Sequence, residues 1–209
     1  RTLESYAAYY DRWSEGWEAQ ALLRATPIAG DAELGRRFTE LIDPLRYPEG
    51  GISDKAVRQI RTLKARMEAE RIPRGGDRKR HFKLGHGGLS DVEWTVQLLQ
   101  LEHAAAIPQL RHPGTMTPLR VLAEHGLINE DDADHLRVGP HPAWRIEFGD
   151  HVSVSSTGEE PGDELSIVRA IAAAVWEAAA EPERSTIVAT DDAAREAAQR
   201  WSLLDPAID

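Results

Sequence analysis

A chain of 209 residues, 41% hydrophobic and 29% charged, is long enough for one large or two small domains. With no cysteine it can form neither disulfides nor thiolate metal sites. No apolar run reaches membrane-spanning length, and the opening Arg1-Thr-Leu-Glu-Ser has no apolar signal region, which together point to a cytoplasmic protein without membrane contact. The formal charge of −10 is unevenly placed: residues 138–209 carry five arginines and no lysine against fourteen carboxylates, a net of −9, leaving 20 basic and 21 acidic residues, a net of −1, in 1–137. Such asymmetry argues for two units, and a negative tail disfavours a nucleic-acid partner. Two methionines, neither at position 1, suggest a fragment, and eight histidines without an HxxxH or HExxH pair argue against a zinc site.

In chain order, the first half reads as helix. Thr2 to Ala25 is one long amphipathic segment with the row Leu3, Tyr6, Tyr10, Trp13, Trp17, Leu22 and Leu23, expected to face a core, and it stops at Pro27 and Gly30. Asp31 caps a second helix to about Ile42, with Pro44, Pro48, Gly50 and Gly51 forming the next loop. Ser53 caps a third, Asp54 to Arg71, in which Val57, Ile60, Leu63, Lys64 and Met67 make a stripe beside the basic face Lys55, Arg58, Arg61, Lys64 and Arg66. A basic loop, 71–81, leads into a glycine-rich turn, and two shorter helices, about 117–125 and 130–137, complete this half.

The turn, Lys83-Leu-Gly-His-Gly-Gly-Leu-Ser-Asp-Val-Glu-Trp94, is the most informative stretch. Gly85, Gly87 and Gly88 permit close backbone approach, and Ser90 with Glu93 can form a capping box on a helix whose apolar residues Val92, Val96, Leu98, Leu99 and Leu101 are interrupted by Gln97 and Gln100. Two readings stand. In one, this is a tight loop on a buried helix, with Lys83 solvated and Asp91 and Glu93 favouring the helix dipole. In the other, Lys83 and free amides face a phosphate while Asp91 or Glu93 faces a metal or a cation. The order of lysine and glycines is not that of a phosphate-cradling GxxxxGK[ST] loop.

Beyond these patterns, several blocks occur in a recognisable order: Arg1-Thr-Leu-Glu-Ser-Tyr-Ala-Ala-Tyr-Tyr10, Trp17-Glu-Ala-Gln-Ala-Leu-Leu-Arg-Ala25, Ala29-Gly-Asp31, Leu41-Ile-Asp-Pro-Leu-Arg-Tyr-Pro48, Ile60-Arg-Thr-Leu-Lys-Ala-Arg66 and the stretch from Lys83 to Leu101. Through about residue 137 the chain resembles the glutamine synthetase adenylyltransferase/adenylyl-removing enzyme of actinobacterial type, in the helical region after its carboxy-terminal nucleotidyltransferase domain. The resemblance implies an enzyme that moves AMP from ATP onto a tyrosine of glutamine synthetase and removes it again, with Mg2+ and ATP as cofactors and a PII-type signal protein as a further partner. The family's metal-binding carboxylates precede the segment where this chain begins, so the resemblance implies no catalytic residue here and an inactive chain by itself. It makes Arg24, Lys83, Gly85, Gly87, Gly88, Asp91 and Glu93 candidates for contact with nucleotide or target.

After a Gly/Pro-rich linker at 138–143 the pattern changes. Trp144–Phe148 and 151–155 read as short strands, 163–180 as an Ala-rich helix, 185–190 as a strand and 191–201 as a helix, a small acidic βαβα unit over 144–209. Asp163, Asp191 and Asp192 at helix starts are weak candidates for binding magnesium, and the tail is similar to the back half of PIN-like nucleases. Ordinary helix capping explains the same residues. The expected fold class is therefore mainly α, a helical bundle followed by a small α/β unit. The alternatives to an adenylyltransferase segment are a non-catalytic helical module that binds a partner, and a magnesium-dependent nuclease remnant in the tail.

Overall fold

The computed structural model describes residues 2–72, 81, 83–85 and 87–137, with the backbone of 138, 140–141, 144–148 and 152–156. Seven α-helices are found among them: α1 Leu3–Trp13, α2 Gly16–Leu22, α3 Ala32–Arg46, α4 Asp54–Arg71, α5 Leu89–His103, α6 Met116–Glu124 and α7 Glu130–Val138. The mainly helical expectation holds for this part of the chain. A single 3₁₀ turn, Pro108–Leu110, joins α5 to α6.

The helix at the centre is α5. Nine of its residues, including Val92, Val96, Leu98, Leu99 and Leu101, are buried, so it is covered nearly all round rather than along one stripe. Leu23, Val57, Ile60, Leu119, Leu122, Ile128 and Leu136 share one buried core with it. Each such side chain taken out of water stabilises the fold by roughly 2 kcal/mol. The glutamines that interrupt the apolar pattern are satisfied: Gln97 accepts from Gln20 of α2 at 2.8 Å, and Gln100 donates to the carbonyls of Leu110 and His112 at 2.7 and 2.9 Å.

Several sequence expectations are corrected. The segment from Thr2 to Ala25 is two helices, because Glu15 starts a new one: the Glu18 carboxylate accepts from the Glu15 amide at 3.0 Å and closes a capping box. The aromatic row is not core. No residue of α1 is buried, Trp13 is 69% and Trp17 41% exposed, and Tyr6 packs edge-on against Phe38 of α3 at 5.6 Å. Between α1 and α3 lies an open cleft of about 700 Å³, beside exposed Leu34. Helix α3 starts at its Asp31 cap but continues through Pro44 to Arg46. Arg46 holds this last turn by donating to Asp43 within it at 2.9 Å and to the carbonyls of Leu22 and Ala25 at 3.2 and 2.8 Å, which also caps the end of α2. Helix α4 has the bounds and the Ser53 cap expected of it.

The backbone of β1 Pro140–His141, β2 Trp144–Phe148 and β3 Val152–Ser156 forms an antiparallel meander, with Trp144 opposite Ser156 and Phe148 opposite Val152. The stretch read as a linker thus contains β1, and both expected strands are present. Helix and strand expectations beyond residue 156, with Asp163, Asp191 and Asp192, lie outside the described residues.

Candidate functional site

The glycine-rich turn is closed by its own hydrogen bonds. The Leu84 amide donates to His81 Nδ1 at 3.0 Å, Gly85 to the His81 carbonyl at 2.7 Å, Gly88 to that of Gly85 at 2.9 Å, and Ser90 to that of Lys83 at 3.0 Å. Gly87, at φ +70°, donates to Asp91 Oδ2 at 2.7 Å. Helix α5 begins at Leu89 with Gly88 as its N-cap. The expected Ser90–Glu93 capping box is therefore absent; Ser90 sits inside the first turn, its buried hydroxyl without a partner among the described residues.

These bonds fit the first reading of the turn, a tight loop on a buried helix. An anion cradle needs amides free to point at phosphate, and here those of Leu84, Gly85, Gly87, Gly88 and Ser90 donate to the protein itself. The place of the anion is taken by Asp91, which is fully buried and accepts from Gly87 through one oxygen and from Lys64 through the other. Lys64 comes from the inner face of α4, is itself buried, also pairs with Glu68 one helical turn on, and has its ammonium 6.0 Å from the centre of the Trp94 ring. The favourable helix N-terminus is thus filled by an internal carboxylate, and a lysine 27 residues earlier compensates its charge. Asp91 fastens the turn to α4, and Gly85, Gly87 and Gly88 are buried in the fastening.

Of the remaining candidates, Arg24 and Glu93 meet. The guanidinium donates to Glu93 Oε1 at 3.0 Å and to Thr115 Oγ1 at 3.3 Å, tying α2, α5 and the start of α6 together at a half-exposed position. Lys83 is exposed on the rim of the turn. Sequence reasoning missed Lys64 and Glu68, although a lysine inside an apolar stripe with a glutamate four residues on was the available signal. At the far end of α5, burial, with the charge of Asp54 adding to it, pushes Glu102 up to about 7. Burial also lowers the neighbouring His103.

Among the described residues no group of three or more His, Asp or Glu could hold a metal ion, and no helix is long and apolar enough to cross a membrane. The described residues therefore do not by themselves fit a magnesium–nucleotide centre, and no chemical step through one is assigned to them.

The comparisons point to the class of adenylyltransferases. Residues 1–41 match the family model described as glutamate-ammonia ligase adenylyltransferase, and residues 61–156 that of GlnD PII-uridylyltransferase. The relatives narrow the likeness to one enzyme. The chain is 67% identical over 131 residues, 63% of its length, to the bifunctional glutamine synthetase adenylyltransferase/adenylyl-removing enzyme of Streptomyces coelicolor. It is 58% identical to that of Mycobacterium avium and 56% to that of Corynebacterium diphtheriae, each over 137 residues and 66% of the chain. It spans only 13–14% of these relatives. The resemblance read from the ordered blocks is therefore borne out. In the tail, residues 141–203 match the GCN5-related N-acetyltransferase like domain.

Proposed function

We propose that residues 1–137 are the helical domain of a cytoplasmic enzyme that transfers AMP from ATP to a tyrosine of glutamine synthetase and removes it, in response to a PII-type signal protein. The metal-binding carboxylates of that reaction belong to other parts of such an enzyme, and the helical domain acts as a wall that holds the substrates against them. Residues 138–143 connect it to a separate acidic α/β unit, 144–209. The observation that carries this reading is the 67% identity over 131 residues to the Streptomyces coelicolor enzyme.

Within the wall, the outward-facing side chains Arg24, Lys83 and Glu93 are the proposed contacts for nucleotide or target, while the turn behind them supplies rigidity. Two-metal phosphoryl chemistry needs carboxylates to hold magnesium between the phosphate and the attacking oxygen, so the chain alone transfers nothing. The test replaces the corresponding segment of the Streptomyces coelicolor enzyme with residues 1–137 and follows labelled AMP onto glutamine synthetase with magnesium and ATP. Transfer is expected, and it should fall in Lys83→Ala and Arg24→Ala without loss of folding. A folded hybrid that transfers no AMP would refute the proposal.

A second reading, a non-catalytic helical module that binds a partner protein, is favoured by one observation. The amides of Gly85, Gly87, Gly88 and Ser90 in the glycine turn donate to the protein itself rather than outward. Calorimetric titration separates the two: the isolated chain binds glutamine synthetase but not magnesium–ATP if this reading is correct.

A further inference from the structure

We propose that the outer face of α4, together with the indole of Trp17, is a docking strip for an acidic segment of a partner protein. Lys55, Arg58, Thr62 and Arg66 are spaced so that all four lie on one face of α4, directly opposite the buried Val57, Ile60 and Lys64. The strip is about 16 Å long at the helical rise per residue. It floors an open groove of about 450 Å³ against α2, whose wall is Trp17. The two helices are drawn together at Gly16, where a Cβ would stand 2.6 Å from that of Ala56, so the groove has a rigid base.

The charge on this strip is largely unpaired, whereas several other surface arginines are neutralised within their own helices. Arg36 pairs with Glu33 and Glu40, Arg120 with Glu124, and Arg137 with Asp134, each within one helical turn. Lys55 and Arg58, by contrast, have no ion-pair partner among the described residues, and Arg66 reaches Glu70 only at 3.8 Å with both side chains about two-thirds exposed. The one carboxylate lining the groove, Glu15, accepts from Trp17 Nε1 at 2.8 Å, which pins the indole in place while leaving it 41% exposed. On a chain of net charge −10, a positive strip with a fixed aromatic edge selects an anionic partner that also offers apolar contact.

The form of the charge chooses the partner. Three cations spread along about 16 Å of helix match carboxylates repeated along a protein segment, and they do not converge on a single phosphate. Few phosphates could be neutralised by so short a strip, and the net negative charge repels a long polyanion, so nucleic acid is disfavoured.

The test titrates the full chain into a fluorescein-labelled peptide of about twelve residues, rich in glutamate with interspersed leucine, and follows anisotropy at low and physiological salt. Saturable binding is expected, weakened roughly tenfold or more by Lys55→Glu with Arg58→Glu, less by the neutral pair Lys55→Gln with Arg58→Gln, and unchanged by Arg36→Glu with Arg37→Glu on α3. The Trp17 indole N–H resonance should shift on binding. Failure to bind at low salt, or binding that is indifferent to the α4 substitutions in a chain whose circular dichroism is unaltered, would overturn the proposal. So would tighter binding of a single-stranded oligonucleotide through the same residues.

Discussion

Replacing Asp91 with alanine is the sharpest test of the role given to the glycine turn. The substitution leaves Lys64 buried with only Glu68 to compensate it and removes the acceptor of the Gly87 amide. Deleting one partner of a buried ion pair costs about 3–5 kcal/mol, and an orphaned amide about 1–3 kcal/mol more. Because Glu68 retains part of the lysine's stabilisation, a total of about 4 kcal/mol is expected. For a chain of this size that corresponds to a fall in Tm of roughly 8–16 °C. Asp91→Asn keeps an acceptor for Gly87 and should lose about half as much. In a cycle with Lys64→Met, the two changes together should cost less than their separate effects by at least about 1 kcal/mol. Urea denaturation of the full chain followed by far-ultraviolet circular dichroism measures all of these. A loss below about 1 kcal/mol for Asp91→Ala would refute the fastening and return the carboxylate to the list of groups able to meet a ligand.

Three further outcomes follow from the geometry. Glu102 has a folded pKa of about 7 against an ordinary value of 4.5, so the folded chain holds a proton there that the unfolded chain releases. Its contribution to stability is present below the ordinary value and is lost as pH rises through about 7; Glu102→Gln should therefore gain about 1 kcal/mol near pH 8, a figure discounted because the group is only half-buried, and nothing near pH 4. Gly16→Ala pushes α2 off α4 at the 2.6 Å approach to Ala56 and should cost about 1–2 kcal/mol, recovered by a second change, Ala56→Gly, in thermal melts. Arg46→Met leaves the carbonyls of Leu22 and Ala25 without their donor and should cost about 2–3 kcal/mol by urea denaturation. Arg46→Lys should recover only part of that loss, because an ammonium cannot reproduce the guanidinium fork.

Local chemistry was legible wherever the residue that sets an element lies within a few positions of it. Asp31 and Ser53 announced α3 and α4 because a cap acts on amides only three residues ahead. The same kind of signal, Glu15 with Glu18, marked the break between α1 and α2, but the strong aromatic period across it outweighed the cap. Pro44 reads locally as a breaker, yet tertiary bonds from Arg46 to the end of α2 carry the helix past it.

The candidate site divides in the same way. That a glycine-rich turn opens a buried helix follows from residues 83–101 alone, since glycine spacing and apolar period are properties of the local chain. Which of the turn's two readings holds depends on Lys64, 27 residues from Asp91, and no local pattern states that α4 presents this lysine inward or that Asp91 turns to meet it. Ordered sequence blocks carried the likeness to glutamine synthetase adenylyltransferases, because a family likeness is stored in residue identity. Only the tertiary structure decided that the turn's amides and its carboxylate bind one another, because hydrogen bonds and buried charges are satisfied by neighbours in space.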